Sequence, residues 1–276
     1  MSIYGLMFFL LFIYLIQKKG NGRIFLAGLC FAAAVLCQQF YLIVFVFYAG
    51  YLLYKDYRFS LRLRVESVLN VVYFLLPFIL PVIVFLFWGG LVHPSYQAWG
   101  TVFGLSGLTG VLVTLGALLL PYMAFNIKEI KVNDLTILLI LSLFLVVFAF
   151  PVWVSQPTEG GITGITFNFL SKVNDFSGVL SFILKTSFCF SGMASFVIFF
   201  KKIIDDKSKL LYLMYIALAI GFSLNRLPSE RHMLPLIVTA LLFVFNQVNK
   251  QIEMRYWLAY QVIIGGVYFY YIMFAY

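Results

Sequence analysis

Fifteen of the nineteen Lys and Arg residues fall into five short clusters, separated by apolar runs long enough to need lipid as their solvent. The clusters are Lys18, Lys19 and Arg23; Lys55, Arg58, Arg62 and Arg64; Lys128 and Lys131; Lys201, Lys202, Lys207 and Lys209; and Lys250 with Arg255. Between them lie loops nearly free of positive charge. Basic loops stay on the cytoplasmic side of a membrane, so this alternation predicts a topology as well as a class.

Composition agrees. Hydrophobic residues make up 63%, charged residues 11%, and mean hydropathy is +1.02, which leaves no soluble reading. The aromatic share of 20% suits interfacial belts and helix packing. A net charge of +9 is spread over loops rather than gathered on one face, so anionic lipid headgroups are the expected partner and nucleic acid is not. Cys30, Cys37 and Cys189 fall in or at the end of expected spans, where thiols act as small hydrophobes. They form neither a disulfide framework nor a zinc pattern. No cofactor motif is evident, and no ligand cluster supports a divalent metal.

The expected fold is all-α, a polytopic bundle of about ten crossings in one integral membrane domain over 1–276. Ser2 to Ile16 lacks a basic leader and a cleavage site and reads as a retained span. Ile24 to Tyr54 has positive charge at both ends. One helix there would be roughly 46 Å long at 1.5 Å per residue, so a hairpin turning at Gln38-Gln39 is expected, with helices near 24–37 and 40–54. Tyr57 to Val65 reads as an interfacial segment. Spans follow at about 69–88 (kinked by Pro77 and Pro81), 107–126, 135–152, 179–200, 210–224, 235–248 and 256–275. Val154 to Gly178 reads as the longest outer loop, of mobile character, and Asp205-Asp206 as a solvated cluster among lysines. Both termini come out extracytoplasmic.

Few charged groups then remain outside: Glu159, Lys172, Asp175, Arg226, Glu230 and Arg231, with His93 and His232 beside them. The densest run is Asn225-Arg226-Leu227-Pro228-Ser229-Glu230-Arg231-His232. Two Arg in an outer loop oppose the positive-inside bias. Arg226, Arg231 and His232 are therefore candidates to hold a phosphate, since the planar guanidinium makes paired bonds to phosphate oxygens. The plainer reading is a local salt bridge through Glu230, which also counts among the candidate substrate contacts. Lys185, about seven residues inside its span, is a second candidate for phosphate, with snorkelling to the headgroups as the alternative. Gln38, Gln39 and His93 are candidate substrate contacts, against plain turn and loop roles. Glu159 and Asp175 are the remaining outer carboxylates and thus candidate general bases.

Three stretches carry a resemblance. Arg23 to Gln39 (Arg-Ile-Phe-Leu-Ala-Gly-Leu-Cys-Phe-Ala-Ala-Ala-Val-Leu-Cys-Gln-Gln) is a Gly/Ala-rich helix ending at polar residues. Trp88-Gly-Gly-Leu-Val-His-Pro-Ser-Tyr-Gln is a span exit leading into an outer loop. Ser229-Glu-Arg-His-Met-Leu-Pro-Leu is a late Glu-Arg element followed by Pro, with His232 at an aromatic position. In this order they resemble the GT-C superfamily, polytopic glycosyltransferases that take sugars from polyprenyl-phosphate carriers. The resemblance implies transfer of a sugar to an acceptor on the extracytoplasmic face, with Arg226, Arg231 and Lys185 on the carrier phosphate. Such enzymes place a catalytic acid in the first outer loop, and nothing before Asp56 is acidic here. The chain is accordingly read as a C-terminal portion of a GT-C-like fold, with an upstream segment or a partner supplying that loop. The other readings are a lipid-linked-saccharide transporter and a non-catalytic membrane subunit.

Overall fold

A computed structural model describes residues 2–17, 21–39, 41–60, 65–90, 105–150, 165–223, 233–247, 255, 258–260 and 262–263. Over these residues the regular structure is entirely helical: α1 (Ser2–Ile16), α2 (Asn21–Cys37), α3 (Tyr41–Ser60), α4 (Val65–Leu75), α5 (Ile79–Trp88), α6 (Leu105–Asn126), α7 (Val132–Ala149), α8 (Ile165–Phe176), α9 (Gly178–Lys201), α10 (Asp206–Ser223) and α11 (Leu234–Gln247).

The breaks follow local chemistry. The long apolar run at 24–54 splits at Gln38-Gln39, as its length requires, and the Tyr41 and Leu42 amides bond back to the Gln38 and Gln39 carbonyls. Pro77 interrupts the next run as a 3-10 turn, Leu76–Phe78, between α4 and α5, because proline has no N–H to continue the ladder. Gly89 ends α5 in the left-handed region at φ 70°, with its amide on the Leu86 carbonyl. Two sequence expectations need correction. Residues 57–60 continue α3 rather than forming a separate interfacial segment, while 61–64 lie outside the described residues. The stretch read as one long loop from Val154 contains the helix α8. Its buried Phe167 and Leu170 alternate with exposed Phe169, Lys172 and Asp175, a helical period that the loop reading missed.

Two apolar cores hold the helices. The larger runs through α1–α4, α6 and α9–α11, and its aromatic part gathers Phe9 and Phe12 of α1, Phe31 of α2, Tyr41, Phe45 and Tyr48 of α3, and Phe74 of α4 with Phe78 of the following turn. Ring centroids lie 4.7 Å apart for Phe12–Phe31, 4.9 Å for Tyr48–Phe74 and 4.0 Å for Phe45–Phe78. The second joins α6, α7, α8 and α9 through Val113, Val146, Phe167 and Phe188. Here α6 and α9 cross at backbone contact. A Cβ on Gly116 would stand 1.6 Å from the Phe188 carbonyl oxygen, and one on Gly192 2.0 Å from that of Leu112. Small residues that admit close backbone approach are how helices gain dispersion contact where lipid removes the hydrophobic drive. Between α9 and α10 the buried Ser195 and Tyr215 hydroxyls bond at 2.6 Å.

Four stretches, Val68–Trp88, Leu105–Glu129, Val132–Ala149 and Gly178–Lys201, are long and apolar enough to cross a membrane. Shorter apolar helices accompany them at Tyr4–Ile16, Gly22–Cys37, Tyr41–Tyr54 and Leu234–Phe245. In α7 only 22% of the apolar window is buried, and Ile140, Phe144, Val147 and Phe148 face outward. A helix apolar all round and mostly uncovered has lipid for its solvent.

Chain directions are legible from contacts. Gly5, near the start of α1, lies against Cys37 at the end of α2 and Tyr41 at the start of α3. At the other end, Lys209 of α10 sits 4.7 Å over the Tyr54 ring of α3. There too, Lys202 after α9 bonds to Asn126 at the end of α6. Lys207 lines one cleft with Gln17, beyond α1, and Phe245 of α11. Described positions in or next to four of the five basic clusters thus meet at one end of the bundle, with Phe245 of α11 beside them.

Candidate functional site

The basic end is built around α6. The Asn126 amide donates to the Tyr122 carbonyl at 2.7 Å, which leaves its oxygen free to accept from Lys202 Nζ at 2.6 Å. The same ammonium lies 3.3 Å from Glu129 Oε1 and 5.3 Å from the centroid of the Tyr122 ring. Lys201 Nζ donates to the Glu129 carbonyl at 2.6 Å. Two cations thus cap the C-terminal carbonyl end of α6 and the 3-10 turn Ile127–Glu129, where the helix dipole favours positive charge. Sequence reading missed Asn126 and Glu129. The available signal was an Asn and a Glu three residues apart at a span end, facing a Lys pair at the next one.

Asp205 also goes beyond expectation. It is exposed, as expected of a solvated cluster, but it also caps α10. Its Oδ1 accepts the Ser208 amide at 2.8 Å and the Ser208 hydroxyl at 2.5 Å, and that hydroxyl accepts the Asp205 amide at 3.1 Å. This is a reciprocal capping box with Ser at the position usually held by Glu or Gln. The Ser208 hydroxyl, then its amide, hold the Asp205 carboxyl below its ordinary pKa, and Lys207 adds to the effect.

The opposite end carries the sequence candidates that fall among the described residues. Gln38 and Gln39 form the α2–α3 turn. Gln38 is buried, and among the described residues its Oε1 has no hydrogen-bond partner; the Tyr41 hydroxyl, three residues on, is likewise buried and without one among them. Buried polar atoms of this kind cost about 1–3 kcal/mol each unless a further group satisfies them. Tyr41 was not singled out from the sequence, because one aromatic in an apolar run carries no signal.

Lys185 lies half-buried on α9 with its ammonium 4.5 Å over the Phe150 ring, just beyond α7. Phe150 in turn approaches Phe167 of α8, centroids 6.2 Å apart. α8 is fastened across the start of α9 by the Ser181 hydroxyl, which donates to the Leu170 carbonyl at 3.2 Å. Ser177 caps α9 by accepting the Leu180 amide at 3.3 Å. Asp175 sits exposed on the last turn of α8. Gln38 and Gln39 lie between α2 and α3, whereas Lys185 is on α9 and Asp175 on α8. His93, Glu159, Arg226, Glu230, Arg231 and His232 lie outside the described residues. Among the described residues, no three His, Cys, Asp or Glu side chains gather as a metal site requires.

No family model, curated protein or solved structure matches the chain.

Proposed function

We propose that the chain is a membrane glycosyltransferase component of GT-C type, transferring a sugar from a polyprenyl-phosphate carrier at the face opposite its basic end. The basic end is the cytoplasmic one under the positive-inside rule. In this reading the helices make about ten crossings, and both termini are extracytoplasmic. The observation that carries the proposal is the pair of orphaned polar groups, Gln38 Oε1 and Tyr41 Oη, buried at the end away from the lysines. A polyhydroxylated ligand supplies the donors and acceptors that these two groups lack.

Chemically, a carboxylate takes the proton of an acceptor hydroxyl while the oxygen attacks the anomeric carbon. The carbon–oxygen bond to the carrier phosphate breaks, and cations stabilise the departing phosphate. Arg226, Arg231, His232 and Lys185 are assigned to that phosphate, Glu159 or Asp175 to the base, and Gln38, Gln39, His93 and Glu230 to the substrate.

Binding of a polyprenyl-phosphate hexose to the purified chain, read against the double variant Gln38→Leu/Tyr41→Phe, tests this directly. The variant is expected to bind at least tenfold more weakly while melting no lower than wild type. Unchanged binding with raised stability would mean that the orphaned atoms are only a structural defect. In reconstituted vesicles, Arg231→Ala is expected to abolish sugar transfer without loss of insertion. Lipid flux without transfer would instead favour a transporter.

A further inference from the structure

A cavity of about 430 Å³ opens between α6, α7 and α9 on the half of the bundle nearest the basic end. Leu120, Met123 and Ile127 form one wall, Leu135 and Leu139 of α7 a second, and Phe190 of α9 closes the third. The lining is mostly hydrocarbon, with the side chains of Thr136, Thr186, Ser187 and Ser191 set into it, and it is open at exposed Ala124, Ile127 and Leu139. Its long axis runs with the helices: Leu120 to Ile127 spans roughly 10 Å at 1.5 Å per residue. That shape takes a single linear chain.

The end of the groove is charged. Lys128 follows Ile127, and Lys131 precedes Val132; both are exposed. Nearby acids do not cancel them. Glu129 is held by Lys202, and Asp134 falls on the far side of α7 from Val132, Leu135 and Leu139, by about 100° per residue. Lys131 stands at the N-cap of α7 in extended conformation with no side-chain cap, which leaves the positive end of that helix beside the two lysines. Apolar wall and cationic rim are complementary to the two halves of one molecule.

We infer that the α6–α7–α9 groove binds one anionic phospholipid, an acyl chain lying along Met123, Leu135 and Phe190 and the phosphate on Lys128, Lys131 and the start of α7. A zwitterionic headgroup carries its own cation against this rim and gains less. The inference takes the leaflet from the orientation proposed above, and it is independent of sugar transfer.

The test is native mass spectrometry of the full chain released from nanodiscs of equal phosphatidylglycerol and phosphatidylcholine. Wild type is expected to retain one phosphatidylglycerol at least fivefold in preference to phosphatidylcholine. Lys128→Gln/Lys131→Gln should remove the preference. Ala124→Trp, which fills the mouth of the groove from an exposed position, should remove the retained lipid itself. Equal retention of the two lipids by wild type, or an undiminished preference in either variant, would overturn the site. Nanodiscs expose both faces of the protein, so a negative result counts against the groove and leaves the orientation standing.

Discussion

At the scale of single residues, the described charges do structural tasks that their sequence positions conceal. Lys202 joins Asn126, Glu129 and Tyr122, and its side chain is only 20% exposed against 34% for Glu129. Lys202→Met leaves the buried Asn126 oxygen without its donor, so unfolding should become easier by about 1–3 kcal/mol. Glu129→Gln removes a partly solvated ion pair alone, and its cost should stay below about 1 kcal/mol. Stability in detergent, followed by denaturant titration, ranks the two. Asp205→Ala removes the cap of α10 and should cost about 1 kcal/mol. The pH dependence follows from the lowered carboxyl pKa in the folded state. Its contribution is complete above the ordinary Asp value of about 3.9 and is lost as the pH falls through that value and below. Asp205→Asn should therefore flatten the acid limb of a melting-temperature profile relative to wild type. An identical limb would mean that other carboxylates set it.

At the scale of elements, the crossing of α6 and α9 is the joint that tolerates least change. Gly116→Ala drives a methyl into the Phe188 carbonyl, and Gly192→Ala into that of Leu112. The helices must separate, with a loss of about 2–4 kcal/mol expected for either. Gly50→Ala on α3 meets nothing within 4 Å and serves as the control, neutral or slightly stabilising through helix propensity. Helix breaks were legible in the sequence where length or proline forces them, as at Gln38-Gln39 and Pro77. α8 was not legible in that way. Its twelve residues are too polar for a span, and their period shows only once Phe167 and Leu170 are known to share a buried face. The candidate site was half legible for a similar reason. Gln38 stands out as a polar residue between apolar runs, whereas Tyr41 gains meaning only from burial without a partner. Asn126 and Glu129 needed a cation 76 and 73 residues away along the chain to explain them.

At the scale of the whole molecule, charge and hydropathy act together. Described positions in or beside four basic clusters, far apart along the chain, converge on one end, while Gln38, Tyr41, Lys185 and α8 occupy the other. Lipid around exposed faces such as that of α7 requires backbone groups to be bonded within the protein, and the described apolar runs meet this as helices. The proposed orientation puts the basic end in the cytoplasm by the positive-inside rule, and the proposed carrier chemistry, substrate contacts and lipid groove inherit their sides from it. Single cysteines at Ser229 and Lys128, in a background with Cys30, Cys37 and Cys189 replaced by Ala, read it directly with a membrane-impermeant maleimide. Ser229→Cys should label in intact cells and Lys128→Cys only after the membrane is opened; the reverse pattern would contradict the account.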